Sequence, residues 1–215
     1  MTGIKVCGLT EHAGIEAALA LQVERIGLVF APSSPRLLTI NTASQLAQIA
    51  RGKAAIVAVL VDPGDKLLAR IVREVAPDFL QLHGSERPDR VRTIWNRYHI
   101  PVIKAFSVAN AKDIKDAERY ARTAAEFLFD AKPPKDATRA GGFGTSFHWE
   151  LLADVKPARP WLLAGGLTPD NVATAIAVTG APMVDVSSGV ESTAGVKDPT
   201  LLAQFCAAAR SNGSS

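Results

Sequence analysis

The sequence has no long apolar run and only two cysteines among its 215 residues. Its longest clean apolar run covers 54–61, whereas a membrane-spanning helix needs about 20 residues. The N-terminal segment 1–5 has no basic stretch followed by an apolar one, so no secretory signal is expected. Cys7 and Cys206 stand near opposite ends of the chain, which is not the pattern of a disulfide framework or a zinc site. These absences argue against a membrane protein and favour a reducing, cytoplasmic location.

Blocks of like charge are absent as well. The 24 basic and 21 acidic residues are intermixed, giving a net charge of +3 and a pI near 9.0. Aromatic residues make up only 6% and do not interleave with basic ones, so we expect no nucleic-acid partner. A small anionic substrate suits the mild positive charge. The 47% of hydrophobic residues excludes a disordered chain and is enough for one well-buried core.

Short β-rich runs alternate with helical patterns along the whole chain. Most of these runs are bounded by Gly, Pro or Asp, as expected of strands that are buried on both faces. The predicted strands are 4–7, 25–30, 55–61, 78–82, 101–105, 126–130, 161–164 and 182–187. Two helix starts carry an N-cap residue followed by proline, Thr168-Pro169 and Asp198-Pro199. Cys206 lies on the apolar stripe of the last helix and is expected in the core.

Eight strand–helix units in a chain of this length predict a single (β/α)8 TIM barrel, an α/β fold. We expect the barrel to span 1–210 and to be followed by a frayed tail, 211–215. The alternative fold is an open, doubly wound sheet. It is disfavoured because the first strand–helix turn, 7–10, lacks the glycine fingerprint of a dinucleotide site.

The last two predicted strands end in a pattern typical of phosphate binding. Small residues at 164–167 and 186–189 allow backbone N–H groups to point at an anion, and loops seven and eight often hold phosphate in this fold. Tight turns are the structural alternative to this interpretation. The candidate phosphate-binding residues are Gly165, Gly166, Ser187, Ser188 and Gly189.

Cys7 closes the first predicted strand, and Lys5 shares its face because side chains alternate along a strand. A free cysteine is usually a core residue, but a nearby ammonium favours the thiolate and lowers the thiol pKa towards neutrality. Asp185, on the neighbouring last strand of a closed barrel, is expected to pair with Lys5 and moderate that effect. The residues alone leave Cys7 open between a core and a catalytic role.

Other strand ends and loops carry further candidate groups. Asp130 ends the sixth strand and is either a structural carboxylate or a general acid or base. Arg36 is either a solvated charge or a clamp for a planar carboxylate, and His83 is either a satisfied buried histidine or a ligand contact. The long, glycine-rich sixth loop, 131–145, is either a lid over Asp130 or a surface loop.

With these residues in these places, the chain resembles the phosphoribosylanthranilate isomerase family, (β/α)8 enzymes of tryptophan biosynthesis. The glycine segments are shared with other phosphate-binding barrels, whereas the Lys-x-Cys-Gly opening together with Ser-Ser-Gly-Val-Glu is specific. The matching segments run in the family's order and are 5–10, 34–36, 80–84, 104–105, 128–130, 141–144, 163–172 and 184–191.

The resemblance implies an Amadori rearrangement of N-(5-phosphoribosyl)anthranilate to 1-(2-carboxyphenylamino)-1-deoxyribulose 5-phosphate. It implies that Asp130 is the general acid at the furanose oxygen and that Cys7 is the general base at C2 of the sugar. It also implies a contact between Arg36 and the anthranilate carboxylate, and a phosphate held by loops six to eight. The further substrate-binding residues expected are His83, Gly142 and Gly144. No metal or cofactor is expected, because the opened sugar supplies its own electron sink.

Two other functions stay open. One is a different phosphosugar isomerase or epimerase on the same barrel, which would need another acid–base pair or a metal in place of Cys7 and Asp130. The other is a non-catalytic phosphate-binding barrel, which would bind its ligand without turnover. The expected partner is in each case a small phosphorylated molecule. The sequence does not determine the oligomeric state, and a monomer is the default expectation.

Overall fold

Eight parallel strands close into a barrel in a computed structural model, which describes residues 1–131, 149–153 and 155–211. The strands follow one another in chain order, and β1 pairs with β8 to complete the circle. This confirms the predicted (β/α)8 fold, and each predicted apolar run forms one strand. The strands are β1 Gly3–Cys7, β2 Arg25–Val29, β3 Ala55–Leu60, β4 Phe79–Leu82, β5 Val102–Val108, β6 Glu126–Ala131, β7 Trp161–Ala164 and β8 Met183–Val186.

A helix follows each strand on the outside of the barrel. The helices are α1 His12–Ala20, α2 Ile40–Ala50, α3 Asp65–Glu74, α4 Pro88–Tyr98, α5 Ala111–Ala117, α6 Glu150–Ala153, α7 Val172–Thr179 and α8 Pro199–Ser211. Between β8 and α8, a small antiparallel hairpin is formed by β9 (Glu191–Thr193) and β10 (Val196–Lys197). Ser211, the first residue of the predicted tail, ends α8, and 212–215 lie outside the described residues. In the part of the chain described, no helix is long and apolar enough to cross a membrane.

The two predicted helix starts have different outcomes. Asp198 caps α8 as predicted, since its Oδ1 accepts the backbone N–H groups of Thr200 and Leu201 at 2.8 and 3.0 Å. The prediction of a helix starting at Thr168 is wrong, because α7 begins at Val172. The reason is the Asn171 side chain, whose Oδ1 accepts the Thr168 N–H at 2.8 Å and fixes a turn ahead of the helix.

The core has two layers, separated by the strands. Inside the barrel, apolar side chains such as Val57 and Ile103 are fully buried. Outside, Phe127 and Phe129 pack edge to face beneath the helices, with ring centroids 6.2 Å apart, and Trp161 lies 5.7 Å from Phe129. Alternation of side chains along each strand assigns neighbouring residues to opposite layers. Apolar burial in both layers therefore holds the strand ends in fixed positions.

We predict that Phe127→Ala lowers the free energy of unfolding by about 3–5 kcal/mol, because it leaves a cavity in the outer layer. Urea unfolding followed by circular dichroism measures this loss. Trp95→Ala is the matched control, since Trp95 is 47% exposed on α4 and its removal should cost less than about 1 kcal/mol. Equal losses in the two variants would contradict the two-layer description.

Candidate active site

One cavity of about 310 Å³ opens at the carboxyl ends of the strands, where active sites of this fold are found. It brings together candidates from six different strand ends and loops. The sequence-predicted residues in its wall are Cys7, Arg36, His83, Asp130, Gly165, Gly166, Ser187, Ser188 and Gly189. Gly142 and Gly144 lie outside the described residues, and so does most of the sixth loop with its predicted lid. The remaining candidates therefore share a single site.

A buried ion pair lies at the floor of the cavity. Lys5 and Asp185 are cross-strand neighbours on β1 and β8, and Lys5 Nζ lies 2.8 Å from Asp185 Oδ1. The Lys5 side chain is completely buried and that of Asp185 is 8% exposed. The predicted pairing is thus confirmed, and it is required physically, because either charge alone would be costly to bury.

The thiol of Cys7 does not have the predicted low pKa. Burial raises the pKa of Cys7, and the negative charge of Asp185 raises it further, while Lys5 and Lys197 lower it by less. The prediction of a lowered pKa is therefore wrong. The sequence correctly indicated that the ammonium group of Lys5 lies near Cys7, but it did not show how completely the thiol is buried. Cys7 consequently rests in its protonated form near neutral pH.

Arg36 is held by Glu191, the last residue of the Ser-Ser-Gly-Val-Glu segment, to which the sequence analysis assigned no role. Its Nε and Nη2 donate to Glu191 Oε1 and Oε2 at 2.7 and 2.5 Å, and Lys197 Nζ binds the same Oε1 at 2.7 Å. Gly8 lies beneath the arginine with φ of +75°, and a Cβ there would strike the Arg36 side chain. Glu191 uses the side edge of the guanidinium. No hydrogen bond to Nη1 is made by the residues that the structure describes, so the end edge, formed by Nη1 and Nη2, can take a planar carboxylate.

The two cations reverse the effect of burial on Glu191. Burial by itself raises the pKa of this carboxyl group, but the hydrogen bonds and charges of Arg36 and Lys197 lower it to about 2. The two cations come from different segments: Arg36 follows β2, and Lys197 ends β10 in the hairpin after β8. Glu191 therefore ties the hairpin to the second loop.

A hydrogen-bonded row joins β4 to β6. Gln81 Nε2 lies 3.2 Å from His83 Nδ1, and His83 Nε2 lies 3.2 Å from Asp130 Oδ2. The side chains of His83 and Asp130 are 27% and 32% exposed, whereas Gln81 is 1% exposed. The sequence left His83 open between a satisfied buried residue and a ligand contact, and the structure shows features of both. It reaches the cavity and also binds Asp130.

The seventh and eighth loops meet at the phosphate-binding candidates. Gly165 and Gly166 have φ values of +94° and +62°, a left-handed backbone that favours glycine. Gly189 packs so closely on Leu167 that a Cβ would strike the Leu167 carbonyl oxygen. These contacts require glycine and bring the two loops side by side. Their backbones are thereby exposed to the cavity without intervening side chains.

Two other polar residues at strand ends have structural roles. Lys104 Nζ donates to three backbone carbonyl groups at 2.8–3.2 Å and binds Glu86 Oε2 at 3.0 Å. Asp62 Oδ1 accepts the Ser85 N–H at 2.9 Å and fixes the start of the fourth loop. Within the described ranges, no group of three or more His, Cys, Asp or Glu side chains is arranged to hold a metal ion.

Sequence reasoning missed Gln81, Glu191 and Lys197 as members of the site. Gln81 was detectable, because it precedes His83 by two residues on one strand and must share its face. Glu191 and Lys197 were not, since nothing in the sequence shows that the short hairpin folds back over the second loop.

Comparison with known proteins identifies the relatives of this chain. The sequence profile of the family described as N-(5'phosphoribosyl)anthranilate (PRA) isomerase matches residues 4–208. An N-(5'-phosphoribosyl)anthranilate isomerase from Rhodopseudomonas palustris (strain BisB5) is 48% identical over 209 residues, covering 97% of this chain and 96% of the relative. The isomerase of that name from Brucella canis is 48% identical over 202 residues, covering 94% and 91%.

Solved structures show the same similarity. The phosphoribosyl anthranilate isomerase from Thermotoga maritima is 32% identical and superimposes with a TM-score of 0.88, covering 98% of this chain and 99% of that one. A structure of such an isomerase in complex with reduced 1-(o-carboxyphenylamino)-1-deoxyribulose 5-phosphate is 30% identical, with a TM-score of 0.85 and the same coverage.

The depressed pKa of Glu191 predicts a pH-dependent stability. The folded-state pKa of about 2 lies below the ordinary value of 4.5, so the carboxylate stabilises the fold above pH 4.5. That contribution is lost as the pH falls from 4.5 to about 2. Glu191→Gln should therefore be less stable than the wild type at neutral pH, and the difference should shrink through this window. Urea unfolding at several pH values measures it, with the exposed Glu118→Gln as control. A constant difference at all pH values would refute the assignment.

The charges around Cys7 predict the reactivity of its thiol. In a Cys206→Ala background, the pH profile of Cys7 alkylation should move to higher pH in Lys5→Met and, by a smaller amount, in Lys197→Met. Lys197→Met leaves Glu191 bound to Arg36, so it tests the idea even if Lys5→Met does not fold. The exposed Lys112→Met should leave the profile unchanged. Unmoved profiles in both test variants would show that neither ammonium acts on the thiol.

Proposed function

The chain belongs to the N-(5'-phosphoribosyl)anthranilate isomerase family and catalyses that isomerisation in tryptophan biosynthesis, and we propose that Cys7 and Asp130 are its acid–base pair. The substrate, N-(5-phosphoribosyl)anthranilate, becomes 1-(2-carboxyphenylamino)-1-deoxyribulose 5-phosphate. The observation that carries the proposal is the position of a thiol and a carboxyl group in the wall of one cavity.

The two groups face the cavity from different sides. Cys7 ends β1 and Asp130 lies near the end of β6, and β7 and β8 separate these strands on the shorter way around the barrel. A sugar bound between them can receive a proton at its ring oxygen from one group and lose a proton from C2 to the other. Such positioned proton transfer contributes about 10²–10⁴-fold to the rate of a typical enzyme.

Asp130 acts first, as the general acid. Its Oδ2 faces His83 Nε2 at 3.2 Å, which leaves Oδ1 to carry the proton that is transferred to the furanose oxygen. Protonation of that oxygen opens the ring, and the anilino nitrogen becomes part of a positively charged iminium group.

Cys7 acts second, as the general base. Burial raises the pKa of the thiol and so holds its proton until the ring opens. The iminium group then places a positive charge beside the sulfur, which favours release of the thiol proton to solvent through the cavity, and it also acidifies the C2–H bond. The resulting thiolate accepts the proton from C2, and solvent returns a proton to Asp130. The resulting enolamine then relaxes to the ketone product.

The two anionic ends of the substrate have matching sites in the cavity wall. The free end edge of Arg36 suits the anthranilate carboxylate, because Glu191 occupies only the side edge. The backbones of the seventh and eighth loops, at Gly166 and Gly189, suit the phosphate. A reducing, cytoplasmic location also fits the chain, since Cys7 and Cys206 are both buried and unpaired.

The direct test follows the loss of anthranilate-type fluorescence from freshly prepared substrate. We predict that Cys7→Ala and Asp130→Asn each lower kcat by about 10²-fold or more, whereas the wild type turns over rapidly. The controls are Cys206→Ala, a buried core thiol, and Asp89→Asn, an exposed carboxylate on α4.

Each alternative has its own outcome. Full activity in one of the two variants would assign that role to another residue. Binding of substrate by the wild type without turnover would indicate a non-catalytic phosphate-binding barrel. Turnover of other sugar phosphates in place of this substrate would indicate a different phosphosugar isomerase.

A further inference from the structure

Gln81 is a polar residue in an apolar part of the barrel interior. On β4 it pairs in register with Val59 of β3 and Ile103 of β5, both of which are buried in the inner apolar layer. Its Oε1 has no hydrogen-bond partner among the residues that the structure describes. An unsatisfied buried amide oxygen destabilises a fold, so packing alone gives no reason for glutamine at this place.

The polar contact of the Gln81 amide is His83 Nδ1, at 3.2 Å from Nε2. An amide nitrogen donates hydrogen bonds and does not accept them, so this contact requires Nδ1 to be without a proton. A neutral imidazole then carries its proton on Nε2. That nitrogen lies 3.2 Å from Asp130 Oδ2, where it donates to the carboxyl group.

We propose that Gln81 is a positioning residue that fixes His83 in the neutral Nε2–H tautomer and thereby presents a preset hydrogen-bond donor to Asp130. The inference rests on the proposed role of Asp130 as general acid. Gln81 acts through His83, since its own side chain is almost completely buried.

The preset donor matters at the moment of proton transfer. While Asp130 is protonated, the donor at Oδ2 directs the acidic proton to Oδ1. When Asp130 becomes a carboxylate, the same hydrogen bond becomes charge-assisted and strengthens. A donor that is already in place requires no reorganisation in the transition state, which is the form of stabilisation that raises kcat rather than lowering KM.

The reversed amide orientation gives the contrasting state. With Oε1 towards His83, Nδ1 would carry the proton, and Nε2 would be a bare acceptor facing a carboxylate oxygen. Two acceptors at that distance repel, so this state requires either a protonated Asp130 or an imidazolium ring. A glutamate at position 81 enforces this state, because a carboxylate accepts hydrogen bonds at both oxygens.

The test combines a spectroscopic readout with kinetics. In uniformly ¹⁵N-labelled protein at neutral pH, long-range ¹H–¹⁵N spectra distinguish a bare ring nitrogen from a protonated one. The signals of His83 are assigned by their absence in His83→Asn. We expect Nε2 protonated and Nδ1 bare in the wild type, a mixture of tautomers in Gln81→Met, and a protonated Nδ1 in Gln81→Glu.

Activity should follow the tautomer. We expect kcat to fall about tenfold in Gln81→Met and further in Gln81→Glu, with KM within about twofold of the wild type. The melting temperature of Gln81→Met should not fall, because the methionine removes an unsatisfied polar atom, whereas a merely structural role for Gln81 predicts that it falls. Gln48→Glu, the same change on the exposed face of α2, is the control and should alter neither readout.

Three results would overturn the proposal: a protonated Nδ1 in the wild type, an unchanged tautomer in Gln81→Met, or a change in KM alone. If Gln81→Glu does not fold, the wild-type and Gln81→Met spectra decide the question. A failure of the proposed function can be distinguished from a failure of this inference about Gln81. Full activity of Asp130→Asn would remove the role of the acid, while the spectra would still report the tautomer.

Discussion

The pairing of β1 with β8 closes the barrel, and the site depends on this closure. It places Lys5 and Asp185 side by side as an ion pair in the interior, although they stand 180 residues apart in the chain. It also places Cys7 next to the eighth loop. In an open sheet β1 and β8 would not be neighbours, so Lys5 and Asp185 would each have to be neutralised or exposed to water. The ion pair in the site therefore requires the closed topology of the barrel.

Alternating charge extends from this pair to the cavity rim. Above Lys5 and Asp185, Glu191 is shared between Arg36 and Lys197, and both of its oxygens are occupied. Asp185 pairs with one cation, but Glu191 is shared by two, so the carboxylates hold the cations in place without neutralising all of their charge. The excess positive charge suits a substrate with a carboxylate at one end and a phosphate at the other. Near Cys7, the carboxylate of Asp185 offsets part of the effect of the ammonium groups, so burial raises the thiol pKa by more than they lower it.

The sequence predicts the barrel well and the polar network only in part. Apolar runs bounded by glycine, proline or aspartate define the strands because parallel strands are buried on both faces. The cap at Asp198 is local and is confirmed, whereas the start of α7 depends on a side-chain contact of Asn171 that no propensity expresses. The role of Glu191 was not predictable for a related reason, since it depends on how a short hairpin folds back over the second loop. The sequence shows which residue types are present, but it does not show which distant residues the fold brings into contact.

The outer layer of the barrel stabilises the fold, whereas the inner layer carries the polar groups of the site. Aromatic and aliphatic side chains between strands and helices stabilise the fold, so the inner layer can hold a buried thiol at Cys7 and a charged pair that destabilise it. Under the roles proposed for Cys7 and Asp130, the buried thiol also sets the order of the reaction. Burial raises the pKa of Cys7, so the thiol loses its proton and becomes a base only after positive charge appears beside it. In the proposed mechanism, ring opening by Asp130 supplies that charge, and the proton from Asp130 therefore moves before the proton from C2.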